Sequence, residues 1–211
     1  MAKLKQGIFG PITGKLGSLV GSSWMGIPYI KKTPRIDKNR KRTPAQIANN
    51  EKFAYVNDWM VPFHTFILVG FSNLASSKTA LGACLSAIYK TVFTDVMPNL
   101  IIDHSKMQIS SGTLRGLDHL KITSLDGNIY MSWKDEPGKS RYDEQVMLAL
   151  YSEELHETDG FIGNVNRSAN GFTFPLQPEM IGKDLHIYVA VVSPNRKKSS
   201  NTSYLGKIKT L

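Results

Sequence analysis

Leu117-Asp118-His119-Leu120-Lys121-Ile122-Thr123-Ser124-Leu125-Asp126-Gly127-Asn128-Ile129-Tyr130-Met131-Ser132-Trp133-Lys134 is the stretch that decides the fold. Apolar and polar side chains alternate on both sides of Asp126-Gly127, a dipeptide suited to a tight hairpin because both residues tolerate positive φ. The pattern predicts strands over 117–124 and Asn128–Lys134. The same period of two returns at 106–110, 147–152, 171–176, 185–193 and Ser203–Lys209, at intervals typical of an antiparallel sandwich. Within 185–193 the expected inward set is Leu185, Ile187, Val189 and Val191, which turns His186 and Tyr188 outward.

Upstream of Asn99 the period changes. Thr43-Pro44-Ala45-Gln46 combines a capping hydroxyl, a proline at the first helical position and a glutamine that completes a capping box. A helix is expected from Pro44, burying Ile47, Ala48, Ala54, Tyr55 and Trp59, with Pro62 ending or kinking it. The apolar stretch from Met60 to Leu74 contains Pro62, His64, Gly70 and Asn73 and is shorter than the roughly 18 residues a membrane span needs, so it reads as core. A second helix is expected from Lys78 to Phe93, with Leu81, Cys84, Leu85, Ile88 and Val92 on one face.

The first segment carries glycines at 7, 10, 14, 17, 21 and 26, a density that disfavours helix. Two short strands over 16–22 and 24–31 fit it better, with Val20, Trp24 and Tyr29 as the side chains worth burying and Gly14 and Gly17 allowing close backbone approach. Charge separates this segment from the rest of the 211-residue chain, whose net charge is +9. Residues 1–42 hold ten basic residues against the single acid Asp37, whereas 43–211 hold 16 of each sign. Such asymmetry marks an arm that seeks an acidic partner, whether nucleic acid, an anionic membrane surface or the acidic face of a neighbouring subunit, with a solvated linker as the plain alternative for the basic run. Its candidate partner-binding residues are Lys31, Lys32, Arg35, Lys38, Arg40, Lys41 and Arg42.

The fold class expected is α+β: a basic glycine-rich β-hairpin arm and linker over 1–42, a two-helix segment over 43–98, and an antiparallel β-sandwich over 99–211. The order Ile129-Tyr130-Met131-Ser132-Trp133, Met147-Leu148-Ala149-Leu150-Tyr151, Phe172-Thr173-Phe174-Pro175-Leu176 and Leu185 to Val191 resembles a fibronectin type III or immunoglobulin-like domain, with Leu185 where that family usually has its corner tyrosine. Lys3-Leu4-Lys5-Gln6-Gly7, Gly14-Lys15-Leu16-Gly17, Thr43-Pro44-Ala45-Gln46 with Phe53-Ala54, Ile102-Asp103 to Gly112-Thr113-Leu114, and Asn201-Thr202-Ser203-Tyr204-Leu205-Gly206 together resemble an uncharacterised bacterial family, a domain of unknown function. That resemblance spans nearly the whole chain and implies architecture without chemistry.

A search for chemistry is negative. Gly10-Pro11-Ile12-Thr13-Gly14-Lys15-Leu16 has one residue too few between its glycines, and leucine where a phosphate loop needs a hydroxyl. His64, His104, His119, His156 and His186 fall in five elements with no metal-ligand spacing. Glu153, Glu154, Glu157 and Asp159 read as a solvated loop. Cys84 reads as a small buried hydrophobe. A surface-binding sandwich would need exposed tryptophan, and Trp24, Trp59 and Trp133 all read as core. No catalytic, cofactor-binding or metal-binding residues are therefore expected, and no cofactor. The opening residues lack the apolar run of a signal peptide, which points to a cytoplasmic, bacterial or phage-like setting without membrane insertion. The expected role is a non-enzymatic structural protein that self-assembles into a homo-oligomer, particle or filament through its arm, with itself or other subunits as partners. The alternative is sequence-independent nucleic-acid binding by the basic run.

Overall fold

Residues 3–4, 7, 10–34, 41–74, 78–95, 97–134 and 143–210 are described by the computed structural model. The chain forms two units, Met1–Thr43 and Pro44–Leu211. In the first, β1 (Lys3–Leu4), β2 (Ile12–Leu16), β3 (Leu19–Trp24) and β4 (Ile27–Lys32) form one antiparallel sheet in chain order. The sequence predicts two strands here; glycine moves the turns and makes more. Gly17 at φ 58°, and Met25 and Gly26 at 48° and 83°, place two-residue turns where the longer predicted strands would run through. At Gly21 an added Cβ would lie 2.0 Å from the Ile12 carbonyl oxygen, so β2 and β3 approach closely only because that residue is glycine. The segment dismissed as a phosphate loop becomes β2.

The second unit opens with α1 (Pro44–Trp59), which buries Lys52, Val56 and Trp59 along one stripe. Of the predicted face only Trp59 is buried; Ile47 and Tyr55 are exposed. The difference comes from Lys52, whose aliphatic stem is buried while its amine donates to the carbonyls of Phe93 (2.7 Å) and Asp95 (2.9 Å). The apolar stretch after Trp59 forms a 3-10 turn, Val61–Phe63, and a short helix α2 (His64–Gly70) that bury Phe63, Phe66, Ile67 and Phe71, as a core segment should. Among the described residues no helix is long and apolar enough to cross a membrane.

Helix α3 (Ala80–Ile88) is shorter than predicted at both ends. Thr79 caps it by accepting from the Gly82 amide, and beyond Tyr89 the chain straightens into β5 (Phe93–Thr94), paired with β6 (Ile101–Ile102). Its buried face is Ala80, Ala83, Cys84 and Ile88; Leu81 and Leu85 pack at the margin. Burial raises the Cys84 thiol to about 12, leaving about one thiolate in ten thousand at pH 8. Iodoacetamide is expected to leave the native chain unlabelled at that pH and to label Cys84 fully in denaturant, as intact-mass measurement would show. Labelling of the native chain at the rate of a free thiol would contradict this burial.

Seven strands follow: β7 (Asp118–Leu125), β8 (Asn128–Lys134), β9 (Gln145–Ser152), β10 (Glu157–Asn166), β11 (Gly171–Pro175), β12 (Asp184–Val192) and β13 (Ser203–Lys209). They make two antiparallel sheets, β10-β9-β12-β13 and β11-β8-β7. The Asp126-Gly127 hairpin joins β7 to β8 as predicted, with Leu125 opposite Asn128. The strand predicted over 106–110 is absent: His104–Lys106 is a 3-10 turn, and Thr202 fixes the backbone after it by accepting from the Ile109 and Ser110 amides. The predicted acidic loop is also corrected, because Glu157 opens β10 and Asp159 within it is buried, accepting from the amides of Gly160 and Gln177. Gly160, Gly163 and a bulge between Ile162 and Val165 mask its alternation.

The four-stranded sheet is buried on both faces, which the alternation rule for a solvated sheet does not anticipate. Val146, Leu148, Leu150, Leu185, Ile187 and Val189 meet Ile129, Met131 and Trp133 of the other sheet. The intervening Met147, Ala149, Tyr151, Tyr188, Ala190 and Val192 meet Val56, Trp59, Phe63 and Ile67 of the helical layer. His186 and Tyr188 thus face the helical side rather than solvent, and the unit has three layers. At one end of the sandwich Arg167, 1% exposed, donates to Glu144 at 3.0 Å and to the carbonyls of Arg115 (2.8 Å) and Gly116 (2.7 Å). Its own carbonyl accepts from the Trp133 indole at 2.6 Å.

Candidate functional site

Two places stand apart from ordinary core and surface. The first is the N-terminal sheet, where pairing fixes which side chains share a face. Trp24 lies opposite Ile27, Ser22 opposite Tyr29 and Val20 opposite Lys31, so Trp24, Ile27 and Tyr29 occupy one face. Leu16 opposite Leu19, with Ile30 opposite Gly21, occupies the other. Both faces are wet: Trp24 is 57%, Ile27 69%, Leu16 56% and Ile30 56% exposed. Of the residues expected to be buried here, Val20 is half-buried and Trp24 and Tyr29 are exposed, a correction with a simple cause. Among the described residues of this small, glycine-rich unit nothing covers them, and Gly21 is the only buried position there.

Gly14 pairs with Gly21 at φ 103°, and Gly17 supplies the turn. Lys31 and Lys32 are exposed on the edge strand β4, with the Lys31 amine 5.8 Å from the Tyr29 ring centre. Lys41 and Arg42 are exposed just before α1. Arg35, Lys38 and Arg40 lie outside the described residues. The sheet therefore presents apolar side chains and lysines together, on strands whose edge is open to pairing.

The second place is a cluster of histidines that no spacing in the chain announces. His104 comes from the 3-10 turn after β6, His186 from β12, and Glu153 from the turn after β9. The two imidazoles stack with centroids 3.9 Å apart and planes 14° from parallel. Trp59 and Tyr151 ring them, each 5.8 Å from His104, and Tyr188 donates to the His104 carbonyl at 3.1 Å. The Nδ1 atom of His186 pairs with the Tyr204 hydroxyl at 2.9 Å. One carboxylate oxygen of Glu153 lies 3.8 Å from His104 Nε2.

Burial holds both imidazoles below their ordinary range, and for His186 burial together with the neighbouring His104 brings the value down to about 4. Burial likewise raises the phenols of Tyr151, Tyr188 and Tyr204. Two ring atoms, His104 Nδ1 and His186 Nε2, are buried without a hydrogen-bond partner among the described residues. Each such atom costs about 1–3 kcal/mol of stability, an expense a purely structural core avoids. One ligand atom from each of His104, His186 and Glu153 lies within 4.8 Å of the others, a donor set able to hold a metal ion. Of the three donors, Glu153 lines a cleft of about 370 Å³, together with Tyr55, Asp58, Trp59, Ile102, Tyr151 and His156.

The remaining sequence candidates do not converge. Glu154 is tied to Lys183 at 2.6 Å, His156 to the Tyr151 hydroxyl at 3.0 Å, and Trp59 and Trp133 are buried as expected. The one signal for the histidine pair is the unbroken apolar run of β9 and β12. Such a run marks a sheet covered on both sides and therefore places His186 against another layer.

Residues 10–206 match the profile of a family described as a family of unknown function, DUF6266. No curated protein matches the chain.

Proposed function

Since the chain belongs to DUF6266, which brings no activity with it, we propose from its surfaces that it is a non-catalytic structural protein, joined into a homo-oligomer or larger particle through its N-terminal sheet. The observation that carries this reading is the exposure of Leu16, Trp24, Ile27 and Ile30 on both faces of a sheet that has no apolar core among its described residues. Apolar area left in water on two sides gains stability, at about 25 cal/mol per Å², only when another surface covers it. The open edge of β4 suits strand addition from a neighbour. Lys31, Lys32, Lys41 and Arg42, all exposed, favour an acidic rim on that neighbour.

The finer architecture belongs to the same reading. The order β11-β8-β7 over β10-β9-β12-β13 fits a fibronectin type III-like sandwich, with Trp133 on its second strand. Such domains serve widely as structural modules, in keeping with a building block, although that link rests on fold alone.

Sedimentation tests the proposal. The full chain is expected to run as an oligomer, and both deletion of residues 1–42 and the pair Trp24→Ser with Ile27→Ser are expected to give a monomer with unchanged far-UV circular dichroism of the second unit. The same species before and after deletion would sink the arm's role. The charge imbalance of residues 1–42 supports nucleic-acid binding as the second reading: duplex DNA would then be retained at low salt and lost steeply as salt rises, whereas no gel shift at low salt would remove it.

A further inference from the structure

We propose that His104, His186 and Glu153 form a binding site for a divalent transition-metal ion of the zinc class, in the second unit and independent of the N-terminal sheet. Two imidazoles and one carboxylate are a recurrent zinc donor set, which leaves a fourth position for water or another ligand. Imidazole favours such borderline ions over magnesium or calcium, which prefer oxygen donors throughout. Three separate elements bring these donors together, their ligand atoms lie within 4.8 Å of one another, and Glu153 also lines the neighbouring cleft.

The surroundings are those of a ligand. His186 is 6% exposed, its Nδ1 is held by the Tyr204 hydroxyl at 2.9 Å, and its Nε2 is buried without a partner among the described residues. Metal-binding histidines typically have this arrangement, one ring nitrogen fixed by a neighbour and the other directed at the ion. Lys207, whose charge reaches both imidazoles, is paired with Asp184 at 3.0 Å.

Loading requires a defined movement. Zinc bonds of about 2.0–2.2 Å place tetrahedral ligands about 3.3 Å apart, so the donors must close inward. Glu153 is 60% exposed on a turn and can swing. Imidazole lone pairs lie in the ring plane, so the parallel stack must also fan open. His104, with no partner for its Nδ1 among the described residues, is the ring that turns, while Tyr204 holds His186 in place.

The test uses the full-length chain without a purification tag, titrated with Co²⁺ and followed by visible absorption, then competed with Zn²⁺ and separately with Mg²⁺. The expected result is one Co²⁺ per chain with d–d bands that Zn²⁺ abolishes and Mg²⁺ does not. His104→Ala should abolish binding, Glu153→Gln should weaken it, and Tyr204→Phe should lower affinity about 10–100-fold by releasing His186. His119→Asn, outside the cluster, should bind like the parent. Because Glu153 lies on an exposed turn, its variant separates ligation from folding. Absence of saturable Co²⁺ binding by the parent chain, or unchanged affinity in either His104→Ala or Glu153→Gln, overturns the site.

Discussion

Arg167→Ala is expected to cost the second unit about 3–5 kcal/mol, measured as a fall in the denaturation midpoint at unchanged slope. The guanidinium is 1% exposed and Glu144 is 5% exposed, so removing the cation takes a buried ion pair at 3.0 Å from the interior. The loss is larger than that of one ion pair, because the same side chain also satisfies the carbonyls of Arg115 and Gly116 just ahead of β7. Four parts of the chain meet at this group: the entry to β7, the end of β8 through Trp133, the start of β9, and the turn after β10. A double replacement with Glu144→Ala should cost less than the sum of the two single losses, since the pair is coupled at 3.0 Å. A single-variant cost below about 1 kcal/mol would mean that solvent reaches the pair.

Phe63→Ala is expected to cost about 3–5 kcal/mol, seen as a drop of about 6–20 °C in Tm for a unit of this size. Phe63 is fully buried and its ring lies 5.1 Å from Trp59, 4.8 Å from Tyr151 and 5.8 Å from Tyr188. It therefore joins the helical layer to the central sheet. Truncation removes its dispersion contacts with three aromatic rings and leaves a cavity that the paired strands β9 and β12 cannot collapse to fill. Phe63→Leu keeps most of the volume and should lose clearly less. Equal losses for the two variants would place the energy in ring geometry instead of filled space.

Much of the sandwich is legible in the sequence because its signals are local. Asp126-Gly127 sets the β7–β8 hairpin through its own φ preference, and alternation from Ser203 to Lys209 locates β13 at both ends. Where the signal depends on what lies across the fold, the reading fails. Lys52 is counted as polar although its stem is core, so the buried stripe of α1 is displaced. The alternation within 185–193 correctly separates Leu185, Ile187 and Val189 from His186 and Tyr188, yet the second set faces helices and not water. For the same reason the histidine cluster cannot be read from the chain: His104 and His186 meet only because a 3-10 turn seats one against the helical side of the strand that bears the other. In the N-terminal sheet, burial of Trp24 is inferred from size, whereas burial requires a covering surface that the described residues of this unit do not supply.

The central sheet that serves two cores has a consequence for how the protein can be divided. The change of period near Asn99 looks like a seam, but a fragment cut there would leave Met147, Tyr151, Tyr188 and Val192 as an unsheltered apolar slab. Helices and sandwich fall together in one compact unit, Pro44–Leu211, so a cut at that seam would divide a shared core. Any graft or fusion that treats the strands as a free-standing cassette would inherit a sticky wall.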